Sequence, residues 1–268
     1  MYKLIALDMD GTLYNSEGKI TPRTKQAIEA ARRKGVKIVL ASGRPLEGLI
    51  QPLTELNLVA PDEYVLCFNG GLVVNTHTHE IISKTTIKGK DFKQLGALAQ
   101  ELGINFFAFS ATRGLICTKL GPYTRHEMEL NGIEATFIKL DEVDDDEDII
   151  KAMFCDPPEI LAPALEKLPA WVTDNYTTLR SAPFFFEILN KGVDKGVGLQ
   201  HLAEYLGITA DEIIACGNED NDYAMIKYAG LGVSMGNGIN KLKAIANYIA
   251  DTNDYDGVGK VIEKFVLK

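Results

Sequence analysis

Two aspartates stand two positions apart at the end of an apolar run near the start of the chain. The run extends from Leu4 to Leu7, and Asp8 and Asp10 follow it. In an extended backbone, residues i and i+2 point to the same face, which places their Cα atoms roughly 6 to 7 Å apart. Two carboxylates this close repel each other unless a cation or a shared proton lies between them. The pair therefore predicts a metal ion or a division of roles between an acid and a base.

Three further groups of polar residues follow apolar runs or begin helices elsewhere in the chain. They are Ser42 with Gly43, Lys195, and the cluster from Asn218 to Asp222. Open parallel sheets bind ligands at the carboxyl ends of their strands, so we expect these groups to meet the aspartate pair at one sheet edge. Singly, each group has an ordinary explanation as a turn, a surface charge or a helix cap. Together they suit the transfer of a phosphoryl group to a carboxylate nucleophile.

The charge of a phosphate monoester decides what such a site must contain. The ester is a dianion, and it repels an attacking carboxylate unless positive charge lies beside it. The ammonium of Lys195 is one source of this charge, and Mg²⁺ is the other. Hard oxygen donors favour Mg²⁺ over softer metals, and Asp8, Asn218 and Asp222 would supply them.

The remaining groups would hold and protonate the substrate. Main-chain N–H groups of Met9, Asp10 and Gly43, together with the Ser42 hydroxyl, could surround the phosphoryl oxygens. Asp10 would protonate the leaving oxygen and later accept a proton from the attacking water.

Alternating strand and helix patterns would position these groups. Short apolar runs have the length of buried strands at 4–7, 36–41, 64–68, 212–216, 231–234 and 248–250. Helical patterns separate them, such as the one that begins with Thr21 as N-cap and Pro22 as first residue. Strands that alternate with helices form right-handed βαβ units. The predicted fold class is therefore α/β, with a doubly wound, Rossmann-like parallel sheet as the core.

The pattern changes at about residue 83 and returns at about residue 189. A crossover between parallel strands needs roughly 30 residues, and the intervening segment is far longer. We therefore predict an inserted α+β cap domain at 83–188 and a core domain formed by 1–82 and 189–268. Inside the insert, residues 141–148 contain seven acids. They lack the glycine and terminal Glu of an EF-hand, so this acidic run predicts a solvated, mobile loop.

The composition limits the classes of partner. The net charge of -9 argues against a nucleic-acid surface, which needs clustered Lys and Arg. The four cysteines include no CxxC pair, which favours buried free thiols in a cytoplasmic protein. No apolar run approaches the roughly 18 residues of a membrane span. We expect a cytoplasmic protein without nucleic-acid or membrane partners, either a monomer or a homodimer.

The motifs, in their order along the chain, resemble those of the haloacid dehalogenase superfamily. Within it, the chain is similar to the bacterial Cof-type sugar phosphatases with a C2B-type cap. The motifs are Asp8-Met9-Asp10-Gly11-Thr12-Leu13, Ser42-Gly43-Arg44, Lys195-Gly196 and Gly217-Asn218-Glu219-Asp220-Asn221-Asp222. The likeness covers nearly the whole chain, including Asn69-Gly70. It implies a cap that closes over the substrate, excludes water in the first half-reaction and selects the leaving group.

By this resemblance, Asp8 is the nucleophile, Asp10 is the acid and base, and Ser42 and Lys195 hold the phosphate. The family's Mg²⁺ is bound by a carboxylate oxygen of the nucleophile, the main-chain carbonyl at Asp10 and the first acid of the last motif. In this chain Asn218 stands in place of that acid. Either the metal is held more weakly and turnover is retained, or the site has become a phosphate-binding module.

The sequence thus predicts a Mg²⁺-dependent phosphatase that acts on small phosphorylated metabolites, above all sugar phosphates, through an aspartyl-phosphate intermediate. A phosphosugar mutase and a non-catalytic phosphometabolite-binding protein are the alternatives. Asn221 is a further candidate for phosphate binding, and Asn69 for substrate contact. Arg44 either binds a phosphate or pairs with a nearby acid, and Tyr123 either contacts substrate or lies at an exposed helix start.

Overall fold

The computed structural model describes all 268 residues, and the chain divides into two compact units. The core unit comprises residues 1–83 and 194–268, and the insert comprises residues 84–193. The first predicted boundary, after residue 82, lies one position from this division. The second, after residue 188, comes too early, because it falls inside the strand Phe185–Asn190, which pairs within the insert.

Strands and helices follow one another along the whole chain. The strands are β1 (Leu4–Leu7), β2 (Lys37–Ala41), β3 (Tyr64–Cys67), β4 (Leu72–Asn75), β5 (Ile81–Lys84), β6 (Ile87–Lys88), β7 (Asn105–Ser110), β8 (Gly114–Cys117), β9 (Ala135–Phe137), β10 (Asp148–Cys155), β11 (Tyr176–Ala182), β12 (Phe185–Asn190), β13 (Ile213–Gly217), β14 (Leu231–Ser234) and β15 (Tyr248–Ile249). The α-helices are α1 (Pro22–Arg33), α2 (Ile50–Glu55), α3 (Gly89–Leu102), α4 (Pro122–Asn131), α5 (Pro158–Leu165), α6 (Ala170–Asn175), α7 (Lys195–Leu206), α8 (Tyr223–Tyr228), α9 (Asn240–Lys243) and α10 (Gly257–Ile262).

One eight-stranded sheet forms the centre of the core unit, in the order β15-β14-β13-β1-β2-β3-β4-β5. Neighbouring strands are parallel from β15 to β3, and β4 then runs antiparallel to β3. The chain moves from β1 to β3 on one side and resumes at β13 on the other. Open α/β sheets bind ligands at such a reversal of strand order. The predicted doubly wound α/β class is confirmed, with the correction that β4, next to the edge strand β5, runs antiparallel to β3.

The central strand β1 sets the position of the first aspartate. All four of its residues are fully buried, and Leu7 pairs with Cys216 of β13 on one side and Leu40 of β2 on the other. Parallel strands in register end side by side. The residues that follow Leu7 therefore emerge beside those that follow β2 and β13.

A capping residue fixes where the helix after the insert begins. The side chain of Asp194 accepts a hydrogen bond from the Val197 N–H at 2.8 Å, so Lys195 is the first residue of α7. Gly207, with a φ of 65°, ends the helix in the left-handed conformation that favours glycine. The cap thus determines the position of a lysine that is completely buried.

Several local predictions are confirmed. Thr21 caps α1 by accepting from the Thr24 N–H at 3.2 Å, with Pro22 as the first helical residue. All four cysteines are free and buried. None of the helices combines the length and the apolar character that crossing a membrane requires.

A second sheet organises the insert, in the order β11-β12-β10-β7-β8-β9, with β6 paired to β10. Adjacent strands of this sheet are antiparallel, except that β8 and β9 are parallel to each other. Phe92 of α3 packs on Phe106 of β7, which packs on Phe154 of β10, with ring centroids 5.0 and 6.0 Å apart. Helices that pack on an antiparallel sheet confirm the predicted α+β class of the insert.

The acidic run ends in an ion-paired residue rather than in a mobile loop. Asp148 is the first residue of β10, and its carboxylate accepts hydrogen bonds from Lys84, Lys88 and Thr86. These donors, Lys84 foremost, hold the pKa of Asp148 well below its usual range. The prediction of a mobile loop is wrong at this residue, because its partners lie 60 to 64 positions earlier in the chain.

We predict that Asp148→Asn lowers the free energy of unfolding at neutral pH by about 1 kcal/mol, because it removes the ion pairs with Lys84 and Lys88. The loss is small because both lysines are partly exposed. A lowered pKa in the folded state stabilises fully above about pH 4, where the unfolded carboxyl is ionised, and this stabilisation is lost as the pH falls further. Urea unfolding of the native chain and the variant should therefore converge in acid. Asp141→Asn, an exposed acid of the same run, is the matched control. A difference that does not change with pH would contradict this account.

Candidate active site

Polar residues from four strand ends and one helix start lie at the edge of the core sheet where the strand order reverses. Asp8 follows β1, Ser42 follows β2, Asn69 follows β3, Asn218 follows β13, and Lys195 begins α7. Direct hydrogen bonds join Lys195 to Asp8 and Asn69 to Ser42. The convergence expected from the sequence is therefore present in the core unit.

Lys195 is buried between two carboxylates. Its Nζ donates to Asp8 Oδ1 at 2.6 Å and to Asp222 Oδ1 at 2.7 Å. Lys195 and Asp222 have no exposed surface, and Asp8 is 8% exposed. A buried charge is costly unless it is paired, so each member of this triad depends on the others.

Burial raises the pKa of Asp8 to about 6, although the ammonium of Lys195 opposes this shift and Asp222 adds to it. Burial alone would lower the pKa of Lys195, but the two carboxylates outweigh burial and raise it. At neutral pH the lysine is therefore charged and Asp8 is mostly ionised. An ionised carboxylate with little water around it is suited to attack phosphorus.

Asp222 holds the loop after β13 in place. Its Oδ2 accepts the N–H groups of Asn218 at 2.8 Å and Glu219 at 3.0 Å, while Oδ1 accepts from Lys195. Both oxygens thus bind donors of the protein itself. The geometry favours a positioning role for Asp222 over the metal ligation that the sequence suggested.

One end of the Asn218 side-chain amide faces three oxygen atoms. They are Asp8 Oδ2 at 3.0 Å, the main-chain oxygen of Asp10 at 3.0 Å and Thr12 Oγ1 at 2.9 Å. If the amide nitrogen faces them, it donates hydrogen bonds to them. If the amide oxygen faces them, Thr12 donates to it, and the two remaining oxygens need a cation.

These oxygens fit a small divalent cation. Neighbouring ligands of an octahedral Mg²⁺ lie about 3 Å apart, since each Mg–O distance is about 2.1 Å. The distances from the Asn218 amide to Asp8 Oδ2 and to the main-chain oxygen of Asp10 agree with this spacing. No group of three or more His, Cys, Asp or Glu side chains in the structure could hold a metal ion. A cation here would therefore rely on one carboxylate, one main-chain carbonyl and one amide oxygen, which are hard donors.

Glycine allows the two loops of this site to approach each other. Gly11 has a φ of 77°, and a Cβ on it would clash with the side chain of Asn218. A Cβ on Gly217 would likewise clash with the side chain of Asp222. Any larger residue at Gly11 would therefore push the two loops apart, and at Gly217 it would displace Asp222.

The loops after β2 and β3 are joined by hydrogen bonds. The Asn69 N–H donates to the Ser42 carbonyl at 2.8 Å, and Asn221 Nδ2 donates to Asn69 Oδ1 at 3.1 Å. Phe68 and Asn69 both have positive φ, of 51° and 55°. This left-handed turn places the Asn69 amide next to Gly43 and connects it to the last motif. Asn69 thus bonds to two of the phosphate-binding candidates, Ser42 and Asn221, and its own contact with substrate stays a prediction.

Arg44 pairs with an acid, which was one of its two predicted roles. Its Nη2 donates to both carboxylate oxygens of Asp10, at 2.9 and 2.8 Å. The Asp10 side chain is 68% exposed, in contrast to the buried Asp8. The two aspartates of the first motif therefore have different surroundings: Asp8 is buried against a lysine, and Asp10 is open to solvent beside an arginine. Different chemical roles for the two carboxyl groups are consistent with this difference.

Tyr123 lies in the insert, and the core unit contains every other site residue predicted from the sequence. Its ring stacks on Phe184 with centroids 4.6 Å apart and an interplanar angle of 15°. Its contact with substrate stays a prediction.

Two residues of the site are absent from the predicted set. Thr12 is buried and bonds to the Asn218 amide, and Asn237 Nδ2 donates to the Gly11 carbonyl at 2.8 Å. Thr12 belongs to the first motif but carries no charge to draw attention to it. The signal for Asn237 is its place between Gly236 and Gly238 at the carboxyl end of β14, another parallel strand.

The fold and the site define a class of protein: two-unit α/β proteins with a doubly wound core, an inserted α+β unit and an aspartate at the carboxyl end of the first strand. The sequence model of the haloacid dehalogenase-like hydrolases matches residues 5–262. The chain belongs to this family, which confirms the resemblance found in its motifs.

Similar proteins match the chain over nearly its full length. YxeH of Bacillus subtilis, named as a candidate phosphatase, is 40% identical and covers 100% of this chain and 99% of its own. YcsE of the same bacterium, a 5-amino-6-(5-phospho-D-ribitylamino)uracil phosphatase, is 31% identical, with coverage of 99% and 96%. A haloacid dehalogenase-like hydrolase from Bacteroides thetaiotaomicron, known from a crystal structure, is 32% identical with a TM-score of 0.86, and coverage is 98% and 99%.

We predict that Lys195→Met lowers the free energy of unfolding by about 3–5 kcal/mol, because it leaves two buried carboxylates without their cation. In the double variant Asp8→Asn/Lys195→Met one of these charges is removed, so the loss should be smaller. Urea denaturation of the native chain, both single variants and the double variant measures the coupling. Lys227→Met, at an exposed lysine of α8, is the control. Equal losses in Lys195→Met and the double variant would show that the two residues are not coupled.

We also predict that Asn69→Ala is less stable than Asn69→Gly by about 1 kcal/mol. Both variants lose the amide, but only alanine is strained at a φ of 55°. Thermal unfolding of the two variants tests this, and Asn131→Ala against Asn131→Gly, at the last residue of α4, is the control in which the order should reverse. The same order at both positions would refute the strain at Asn69.

Proposed function

We propose that the protein is a Mg²⁺-dependent phosphatase of small phosphorylated metabolites, with sugar phosphates as the favoured class, and that Asp8 carries the phosphoryl group. The observation behind this proposal is the buried Asp8 carboxylate, fixed by Lys195 at 2.6 Å, with the exposed carboxylate of Asp10 two residues further on. Membership of the hydrolase family supports the reaction class. The name of YcsE, a phosphatase of a phosphorylated ribityl compound, supports a small metabolite as substrate.

Mg²⁺, when bound, supplies the positive charge that offsets the repulsion between a phosphate dianion and Asp8. Asp8 Oδ2, the main-chain oxygen of Asp10 and the amide oxygen of Asn218 would hold it. Asp8 Oδ1, which accepts from Lys195, is then the oxygen that attacks phosphorus.

Each half-reaction uses the two aspartates in opposite ways. In the first, Asp8 attacks phosphorus, the bond between phosphorus and the ester oxygen breaks, and Asp10, which enters this step as the protonated carboxylic acid, gives that oxygen its proton. In the second, water attacks phosphorus, the Asp10 carboxylate accepts a proton from it, and the bond between phosphorus and Asp8 breaks. Phosphate leaves, Asp8 is again a carboxylate, and Asp10 again carries a proton.

The remaining groups hold the phosphate and control access to the acid. The Ser42 hydroxyl, the Gly43 N–H and the Asn221 amide are the proposed donors to the phosphoryl oxygens, while the buried Lys195 ammonium donates to Asp8 and lends its charge to the site from there. Both oxygens of Asp10 are bound to Arg44 in this structure. This ion pair must open before Asp10 can protonate a leaving group.

We predict that Asp8→Asn reduces phosphate release from a panel of sugar phosphates by at least about 10⁴-fold, because it removes the nucleophile. Asp10→Asn should reduce it by about 10²–10⁴-fold and should accumulate phosphoenzyme with p-nitrophenyl phosphate. That ester has a good leaving group, so its first half-reaction needs little help from an acid. Acid-quenched phosphoenzyme and released phosphate are measured over a Mg²⁺ titration, with the exposed Asp174→Asn as control.

Three results would each decide against the proposal. If no Mg²⁺ concentration gives phosphate release while phosphosugars still bind, the protein is a phosphometabolite-binding module. If one phosphosugar is converted into an isomer without net release, it is a mutase. If Asp8→Asn retains full activity, the nucleophile is another residue.

A further inference from the structure

The Asn218 amide can present either of two atoms to the site, and a carboxylate could not. The side chain is buried, and one end faces Asp8 Oδ2 and the main-chain oxygen of Asp10, both at 3.0 Å. Its other end abuts Gly11, where no Cβ stands in the way of a rotated amide. An amide turned by half a rotation occupies almost the same space, with a donor in place of an acceptor.

Without a metal ion the place that this end occupies suits nitrogen, because the facing atoms are acceptors and the other end of the amide faces donors, whereas Thr12 can bond to either atom. With nitrogen there, the two N–H donors of the amide have three oxygens within reach, Asp8 Oδ2, the oxygen of Asp10 and Thr12 Oγ1. With oxygen there, Thr12 donates to it at 2.9 Å. A hydroxyl both donates and accepts, so Thr12 can bond to the amide in either orientation.

We propose that Asn218 is a reversible substitute for the metal ion. In the metal-free protein its NH₂ group points at Asp8 Oδ2 and the Asp10 carbonyl and supplies the positive hydrogens that these oxygens require. When Mg²⁺ binds, the amide turns and offers its oxygen instead. This inference rests on the proposed metal dependence of the enzyme, but it concerns the resting site and does not require turnover.

An aspartate at this position would behave differently. Its oxygens would lie about 3 Å from Asp8 Oδ2 and from the Asp10 carbonyl with no donor between them, so the metal-free site would be repulsive. A cation would relieve that repulsion and would be held by one more negative charge. With Asn218 the metal affinity is therefore lower than with aspartate, but the oxygens of Asp8 and Asp10 have hydrogen-bond donors when no metal is bound.

The test compares the native chain with Asn218→Asp by calorimetric titration with Mg²⁺ and by thermal unfolding with EDTA or saturating Mg²⁺. Asn218→Asp should bind Mg²⁺ at least about 10-fold more tightly. Removing a residue that only hydrogen-bonds to a metal ligand already changes metal affinity by about this factor, and here a ligand itself gains a charge. With EDTA its Tm should be at least about 4 °C below that of the native chain. Saturating Mg²⁺ should then raise its Tm by more than it raises the native Tm, because the tighter ligand stabilises more.

Asn247→Asp is the charge-matched control. Asn247 precedes β15, at the amino end of a parallel strand and thus at the opposite sheet edge, and its Oδ1 accepts the Gly232 N–H at 2.7 Å. An aspartate keeps that acceptor and adds the same charge to the chain. Mg²⁺ affinity and the response of Tm to Mg²⁺ should match those of the native protein.

Nitrogen-15 NMR reports on the rotation itself. The side-chain NH₂ resonances of Asn218 are assigned by their absence in Asn218→Asp. In the metal-free protein, kept so by EDTA, these hydrogens should be protected from exchange with solvent. At saturating Mg²⁺ the resonances should shift and the protection should be lost. Resonances that do not respond while calorimetry shows binding would overturn the proposal. So would a native chain that binds no Mg²⁺, or an Asn218→Asp chain that binds no more tightly and melts no lower in EDTA. Phosphate release is not a readout, so a chain that shows the switch without turnover refutes the proposed enzyme activity alone.

Discussion

The ammonium of Lys195, buried without exposure between Asp8 and Asp222, is the interaction on which the site depends. Its two partners lie 187 and 27 positions away in the sequence. A lone charge at this depth would be prohibitively costly, so the strand ends after β1 and β13 and the start of α7 must arrive together. The chain can accommodate an insert of over a hundred residues between β5 and α7 because Asp194 fixes the helix start where the core resumes.

The same triad explains why the loops after β1 and β13 pack too closely for a side chain at Gly11 or Gly217. Asp222 bonds to Lys195 through one oxygen and to the N–H groups after β13 through the other, which draws that loop against Gly217 and brings Asn218 beside Gly11. Larger residues at these glycines would push apart groups that must stay in contact. Close backbone approach is thus a consequence of pairing a buried charge, and the oxygens around the Asn218 amide are positioned by it.

The sequence allowed the α/β class, the inserted unit and the convergence of four motifs to be predicted, because apolar runs, helix caps and strand ends are local signals. It did not show which partners the polar groups would choose. The sequence predicts Asp222 as a metal ligand, but it bonds to Lys195 and two N–H groups. Of the two roles predicted for Arg44, phosphate binding or pairing with an acid, the structure has the pairing, with Asp10 at 2.8 Å. Asp148 and the end of β12 were misjudged because both depend on pairing with distant strands.

Asn218 stands where the resemblance in the motifs predicts an aspartate, and the electrostatics of the site explain how an amide is accommodated there. Lys195 already neutralises one of the two buried carboxylates, so the metal-free site with an amide carries less unbalanced charge than one with a third carboxylate. Asp8, Lys195 and Asp222 hold one another through direct hydrogen bonds in this structure. An amide at this position therefore leaves the contacts that orient Asp8 intact, and under our proposal it changes only how tightly Mg²⁺ is held.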